Sequence, residues 1–266
     1  MITPASGLVA VFLYALGTLF QSLTLSGPKD HRNKVIVIGL LAMLAHLVNV
    51  YTSIVTDAGY NFGIYKVATL FCWTIVALVL LSSLKRPIEN LFILIFPLAI
   101  IGILAAIGLS GPFTTHSQYS TGMATHILLA ILATSVITIA ALQAVLISFQ
   151  NRQLKEKHSV RFIHHLPPLQ TMEGLLFEIV WVGLILLSGV ILTGVIFMDD
   201  LLEQHLSHKL FFSVIAWAVF AVLLWGRHKL GWRGRTAIRW TLTGFAFLVL
   251  AYFGSKLVLE LILNRV

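Results

Sequence analysis

The chain has 266 residues, of which 58% are hydrophobic and only 11% charged. A soluble domain of this size cannot enclose so much apolar surface, so the composition assigns the chain to the lipid bilayer. The formal net charge of +8 follows from basic connections between apolar runs, and nucleic acid is excluded as an expected partner.

Eight stretches are apolar and long enough to span: 4–24, 35–55, 63–84, 91–110, 124–149, 174–198, 208–226 and 239–262. Backbone groups in hydrocarbon must be hydrogen-bonded within their own segment, so each stretch is expected to be a helix. The fold class expected is therefore all-α, a polytopic membrane helix bundle forming a single integral membrane domain over 1–266. The first stretch lacks a basic leader and reads as a span, not as a cleaved signal.

Fourteen of the eighteen Lys and Arg fall in the odd-numbered connections. The exceptions are Lys66, Lys209, Lys256 and Arg265. This asymmetry places the odd connections in the cytoplasm and both termini outside. The most basic connection is 223–239, LLWGRHKLGWRGRTAIR, rimmed by Trp225, Trp232 and Trp240. The longest polar one is 150–173, where Pro167 and Pro168 break any helix and Thr171 is the expected cap of the next. Small residues mark close helix packing: Ala130, Ala133, Ser135, Ala140 and Ala141 in the fifth span, and Gly183, Ser188, Gly189 and Gly194 in the sixth.

An ionisable group within a membrane is costly and needs a reason. His46 sits in the middle of the second span. It either hydrogen-bonds across helices, with Asn49 or a neighbouring Ser as partner, or ligates haem iron as a neutral imidazole. His126 begins the fifth span on the outer side, preceded by His116 in an uncharged loop, and is either an ordinary interfacial histidine or a second candidate axial ligand within reach of haem or a periplasmic partner. His205 and His208, spaced i, i+3, lie beside Asp199, Asp200 and Glu203 at the outer start of the seventh span. That cluster is either a solvated acidic loop or a divalent-metal or haem contact. Trp217, with Phe211 and Phe212, offers a flat apolar wall for a porphyrin or simply faces helix neighbours and lipid. The remaining histidines, including His164 and His165, belong to basic connections and read as solvated. Glu178 lies near the cytoplasmic end of the sixth span, and Lys256 and Glu260 pair or snorkel near the outer end of the last. The single cysteine, Cys72, excludes an internal disulfide, a CxxC pair and a covalent CxxCH haem attachment. No nucleotide-binding loop, HExxH or nucleophile elbow is present, so no enzymatic activity is expected.

Three segments carry a resemblance. MATHILLAILATS holds a histidine after a polar outer loop, GLILLSGVILTGVIF is glycine-rich, and SVIAWAVFAVLLWGRHKLGWRGRTAIRWTLTGFAFLVLAYFG holds a Gly-Trp-x-Gly turn and a final Tyr-Phe-Gly. In order and spacing they resemble the cytochrome c assembly family, the CcsA/CcmC-type haem-handling membrane proteins, nearest its YpjD-like inner-membrane branch. The resemblance covers roughly 120–260, and the first third fits by topology. It implies a haem held near the outer face between outer histidines and a Trp-rich loop, then passed towards apocytochrome. His126 matches the first outer histidine. The Trp-rich segment would fall at 199–212, where this chain reads DDLLEQHLSHKLFF without Trp, and 261–264 lacks the second outer histidine.

The expectation is a multi-pass protein of the bacterial inner membrane that binds haem b and handles haem or assists cytochrome maturation. Its expected ligands are His46 and His126, on separate haems or as a pair, with His205, His208 and Trp217 as further contacts. Expected partners are the bilayer, haem, and another membrane protein or a periplasmic cytochrome. Two rivals stand beside it: a divalent-cation transport accessory using the outer acidic and histidine cluster, and a non-catalytic membrane partner protein docking through its small-residue faces.

Overall fold

The computed structural model describes residues 2–27, 31–56, 59–61, 63–109, 115–116, 121–156, 166–197 and 204–251. These residues form eight α-helices: α1 (Ile2–Ser26), α2 (Arg32–Ile54), α3 (Ile64–Ser83), α4 (Phe92–Gly108), α5 (Thr121–Lys155), α6 (Leu169–Phe197), α7 (Gln204–Leu230) and α8 (Arg235–Val249). Seven helices among the described residues are long and apolar enough to cross a membrane. The chain is an all-α membrane bundle, as the hydropathy pattern requires. The eighth expected span is described only as far as Ala251, and the rest of it lies outside the described residues, as do Lys256 and Glu260.

The helices overrun the apolar runs that announced them. The fifth continues to Lys155 and the sixth starts at Leu169, because backbone hydrogen bonding carries a helix past the point where its side chains stop being apolar. Thr171 is accordingly inside α6, not its cap: Met172 N already donates to Pro168 O at 3.1 Å, so the helix begins at the proline. Three short strands were not legible in the pattern: β1 (Val55–Thr56), β2 (Gly59–Asn61) and β3 (Thr115–His116). They pair antiparallel in the order β1-β2-β3, with Val55 opposite Tyr60 and Tyr60 opposite His116.

The chain divides into two compact units, Met1–Gln118 with Gln153–Pro167, and Tyr119–Arg152 with Pro168–Val266. In the first, α1 packs on α2 and α4, and α3 on α4 and α2. Its centre is aromatic: Phe92 and Phe96 stack at 4.9 Å, and Tyr14 lies 5.3 Å from Phe96. A Cβ on Gly17 would stand 2.9 Å from Phe96 Cε2, so only glycine lets α1 meet that ring. Cys72 is buried, its thiol donating to Leu98 O at 3.6 Å, which assigns it to packing. Arg32, from the first connection, pairs with Glu89 of the third at 2.6 Å, while the three strands join the second connection to the fourth. Odd connections therefore share one end of this unit and even ones the other, as alternating spans demand.

The second unit is built on close helix approach. Ala130, Ala133, Ser135, Ala140 and Ala141 of α5 are all buried. A Cβ on Gly183 would fall 2.8 Å from Ile137 Cγ1 across the α5–α6 seam, and one on Gly244 would fall 2.6 Å from Phe220 Cζ between α7 and α8. The basic turn after α7 relies on two glycines with left-handed φ, Gly231 at 68° and Gly234 at 55°. Glu173, near the start of α6, is only 8% exposed and accepts a hydrogen bond from Gly234 N at 3.0 Å. A carboxylate at the N-terminus of α8 meets the positive end of that helix, which offsets its burial.

Candidate functional site

His46 and His126 each lie on a membrane-spanning helix, one in each unit. His46 is fully buried. Its Nε2 lies 2.9 Å from Thr69 Oγ1 of α3 and its Nδ1 lies 3.3 Å from Tyr14 OH of α1, with the Tyr14 ring edge-on at 5.8 Å. Both ring nitrogens are thus engaged by neighbouring helices, through partners other than the expected Asn49 or Ser. An imidazole so held ties three helices together and keeps no lone pair for iron.

His126 stands in a different setting. Its Nδ1 is 3.0 Å from Thr193 Oγ1 on α6. Thr193 also donates its hydroxyl proton to Gly189 O at 2.8 Å, one turn back along α6. A hydroxyl has one proton, so towards His126 its oxygen accepts, and Nδ1 carries the ring hydrogen. With the Thr193 proton on the α6 backbone, at Gly189 O or at Val190 O 3.1 Å away, the tautomer assigned to His126 has its lone pair on Nε2. Fixing one imidazole nitrogen through a hydrogen bond so that the other ligates is how histidines are oriented at metals.

His126 lines a cavity of about 100 Å³ that is open at its mouth. This is smaller than the roughly 300–1,000 Å³ of small-molecule and cofactor sites, so a larger ligand would extend out through the open mouth. Ala130 and Ala133 of α5, Leu187 and Gly194 of α6, and Leu248 of α8 form much of its wall. The small residues create the space: α5 turns alanines towards it, and a Cβ on Gly194 would approach within 3.3 Å of His126 Cε1. Lys209, on α7, contributes the one cation of the lining. In chemistry, though not in enclosed size, an apolar lining with one imidazole and one ammonium group suits an amphipathic, carboxylate-bearing metal macrocycle.

Trp217 is not part of this lining; its indole donates to Ser188 Oγ at 2.8 Å, joining α7 to α6. The backbone of His205 and His208 lies in the first turns of α7, but their side chains are outside what the structure describes, as are Asp199, Asp200 and Glu203. His164 and His165 fall outside the described residues too. Among the described residues, no three His, Cys, Asp or Glu side chains group as metal ligands.

Sequence reasoning missed Thr193 and Glu173. Thr193 meets His126 across 67 positions, a pairing without local signature. Glu173 had a partial signal, a carboxylate at the start of a helix beside a basic turn, but its bond to Gly234 depends on how α6 and α8 meet.

The sequence pattern of the cytochrome c assembly protein family matches residues 35–263. The chain belongs to this family. It is 29% identical over 262 residues to inner membrane protein YpjD of Escherichia coli K12, covering 97% of this chain and 99% of that protein. Protein HemX of Brevibacillus brevis is 23% identical over 262 residues, covering 92% of this chain and 93% of its own length. A 28.8 kDa protein from the nifR3-like 5′ region of Azospirillum brasilense is 28% identical over 189 residues, 69% of this chain. No solved structure matches.

Proposed function

We propose that the chain is a haem-handling protein of the bacterial inner membrane, binding haem b in the chamber beside His126. The observation that carries this reading is the hydrogen-bond chain from His126 to Thr193 to Gly189, which leaves Nε2 as a base at the edge of an apolar cavity. Haem bound there would supply an iron centre able to accept a neutral imidazole nitrogen. His126 would hold the iron, Thr193 would set the tautomer of its ring, and Gly194 leaves room for that ring. The alanines and leucines would shield a bound macrocycle from water, and Lys209, in the same lining, would stand near a propionate. His46, with both nitrogens bonded, is assigned to holding its own unit together. Membership of the cytochrome c assembly family supports haem delivery to a periplasmic cytochrome or to a membrane partner, and the similarity to inner membrane protein YpjD supports the location. The chain then works by binding and release, not by catalysis.

The test is the absorption spectrum of the protein purified in mild detergent after expression with ample haem. A Soret band that co-elutes with the protein is the expected result. A colourless protein, which also fails to take up added haemin, overturns the reading.

A further inference from the structure

A second cavity in the same unit lies away from His126, at the basic end of α7. It has a volume of about 510 Å³, open to its surroundings, and is lined by Trp181, Leu224, Arg227, His228, Gly231 and Arg233. Two guanidinium groups and an imidazole converge there, and no carboxylate is in the lining. The nearby Glu173 has Oε1 committed to Gly234 N, and Glu178, one turn before Trp181 on α6, is outside the wall.

Arg227 is not a loose surface cation. Its guanidinium donates to Trp232 O at 3.2 Å and lies 4.6 Å from the centre of the Phe177 ring. Held on one side by a carbonyl and a ring face, it keeps its remaining N–H groups in a fixed direction. Arg233 and His228 are exposed, and Gly231, left-handed at φ 68°, leaves open space where a side chain would stand. This is a preorganised anion cradle, and its fork of donors suits phosphate oxygens.

The opposite wall is apolar. Its apolar lining is the half-exposed Trp181 and the buried Leu224, and Trp225, next in sequence but outside the lining, is exposed as well. These side chains stand where a membrane-crossing helix, Lys209–Leu230, ends. That is the level of phospholipid head groups, where indoles settle and basic pockets between helices collect anionic lipids. We infer that this cleft binds the phosphodiester of an anionic phospholipid between Arg227, His228 and Arg233, with the lipid's glycerol and upper acyl chain against Trp181 and Leu224. The inference stands apart from haem binding, which uses the other cavity.

The full chain, purified and delipidated in mild detergent, is titrated with phosphatidylglycerol, with phosphatidylcholine and with inorganic phosphate. Retained lipid is read by native mass spectrometry and stability by thermal unfolding. Phosphatidylglycerol is expected to bind at least tenfold better than phosphatidylcholine. The double variant Arg233→Gln/His228→Gln, at two exposed positions that the fold does not use, is expected to erase that preference while unfolding at the unliganded wild-type temperature. Equal retention of the two lipids overturns the inference, as does a double variant that keeps the preference. Saturable stabilisation by inorganic phosphate of the same size, lost in the double variant, also overturns it and reassigns the cleft to a soluble phosphate.

Discussion

The two intramembrane histidines differ in what their second nitrogen does. His46 gives Nε2 to Thr69 and Nδ1 to Tyr14 and is fully buried against the Tyr14 ring. His126 gives Nδ1 to a threonine whose proton is already spent on a carbonyl, and its other nitrogen borders a cavity. Cost of burial alone flags both residues and separates neither. A hydrogen-bond count separates them: both nitrogens of His46 are used within the scaffold, whereas the Nε2 of His126 borders the cavity and makes it the proposed ligand.

The largest effect that tests this contrast is spectral. His126→Ala is expected to abolish the Soret band of the purified protein, and His46→Ala, where it folds, to leave the band in place. The opposite result, with colour lost on removing His46 and kept on removing His126, breaks the comparison outright.

The next effect is on stability and belongs to His46. Its removal leaves the Tyr14 and Thr69 hydroxyls without a cross-helix partner and opens a cavity among three helices. Buried polar groups that lose their partner cost about 1–3 kcal/mol each in water-soluble proteins, and cross-helix bonds in membranes about 0.6–2. A loss of about 2–4 kcal/mol is therefore expected for His46→Ala in reversible detergent unfolding, the upper part reflecting the cavity. His126→Ala is expected to cost under about 1 kcal/mol, since one half-buried hydrogen bond is lost. Equal destabilisation by the two variants removes the distinction on which the site assignment rests.

Much of the fold was legible because the bilayer leaves so few choices. Apolar length gives the helices, and charge asymmetry gives which connections share an end, visible in Arg32 against Glu89 and in Glu173 against Gly234. Small residues on α5 and α6 announced close packing, and Gly183 against Ile137 is that packing. The short strands were not legible, because two-residue ladders lack enough alternation to register as a pattern. The site was half legible. His126 was marked by type and position, but its difference from His46 lies in Thr193, Tyr14 and Thr69, whose pairings are fixed only when helices distant in sequence meet. The pull of Trp217 towards the site was composition alone: in the fold its indole serves Ser188.

A smaller effect sharpens the comparison by loosening His126 without deleting it. Thr193→Val keeps the shape and removes the oxygen that receives Nδ1–H. Loss of such a supporting hydrogen bond costs roughly 10- to 100-fold in metal affinity. Haem titration into the apoprotein is expected to show a drop in that range, with Thr193→Ser close to wild type. If Thr193→Val binds haem as tightly as wild type, the tautomer does not matter and the chamber alone explains any binding.

The smallest expected effect is also the most local. A methyl group on Gly194 would sit 3.3 Å from His126 Cε1, close enough that the ring must shift by a few tenths of an ångström. A methyl on Gly183, in the same helix, would sit 2.8 Å from Ile137 Cγ1, where a packed seam, not a cavity, has to yield. Overpacking of a well-filled seam costs about 1–3 kcal/mol, whereas a ring bordering empty space can give way for less. Gly194→Ala is thus expected to move the Soret maximum or weaken haem binding a few-fold, about 1 kcal/mol or less, at nearly unchanged unfolding temperature. Gly183→Ala is expected to do the reverse, lowering the unfolding temperature and leaving the spectrum alone. Both glycines face α5, so a variant pair that behaves identically would mean that haem, where it binds, does not sit at the His126 end of that seam.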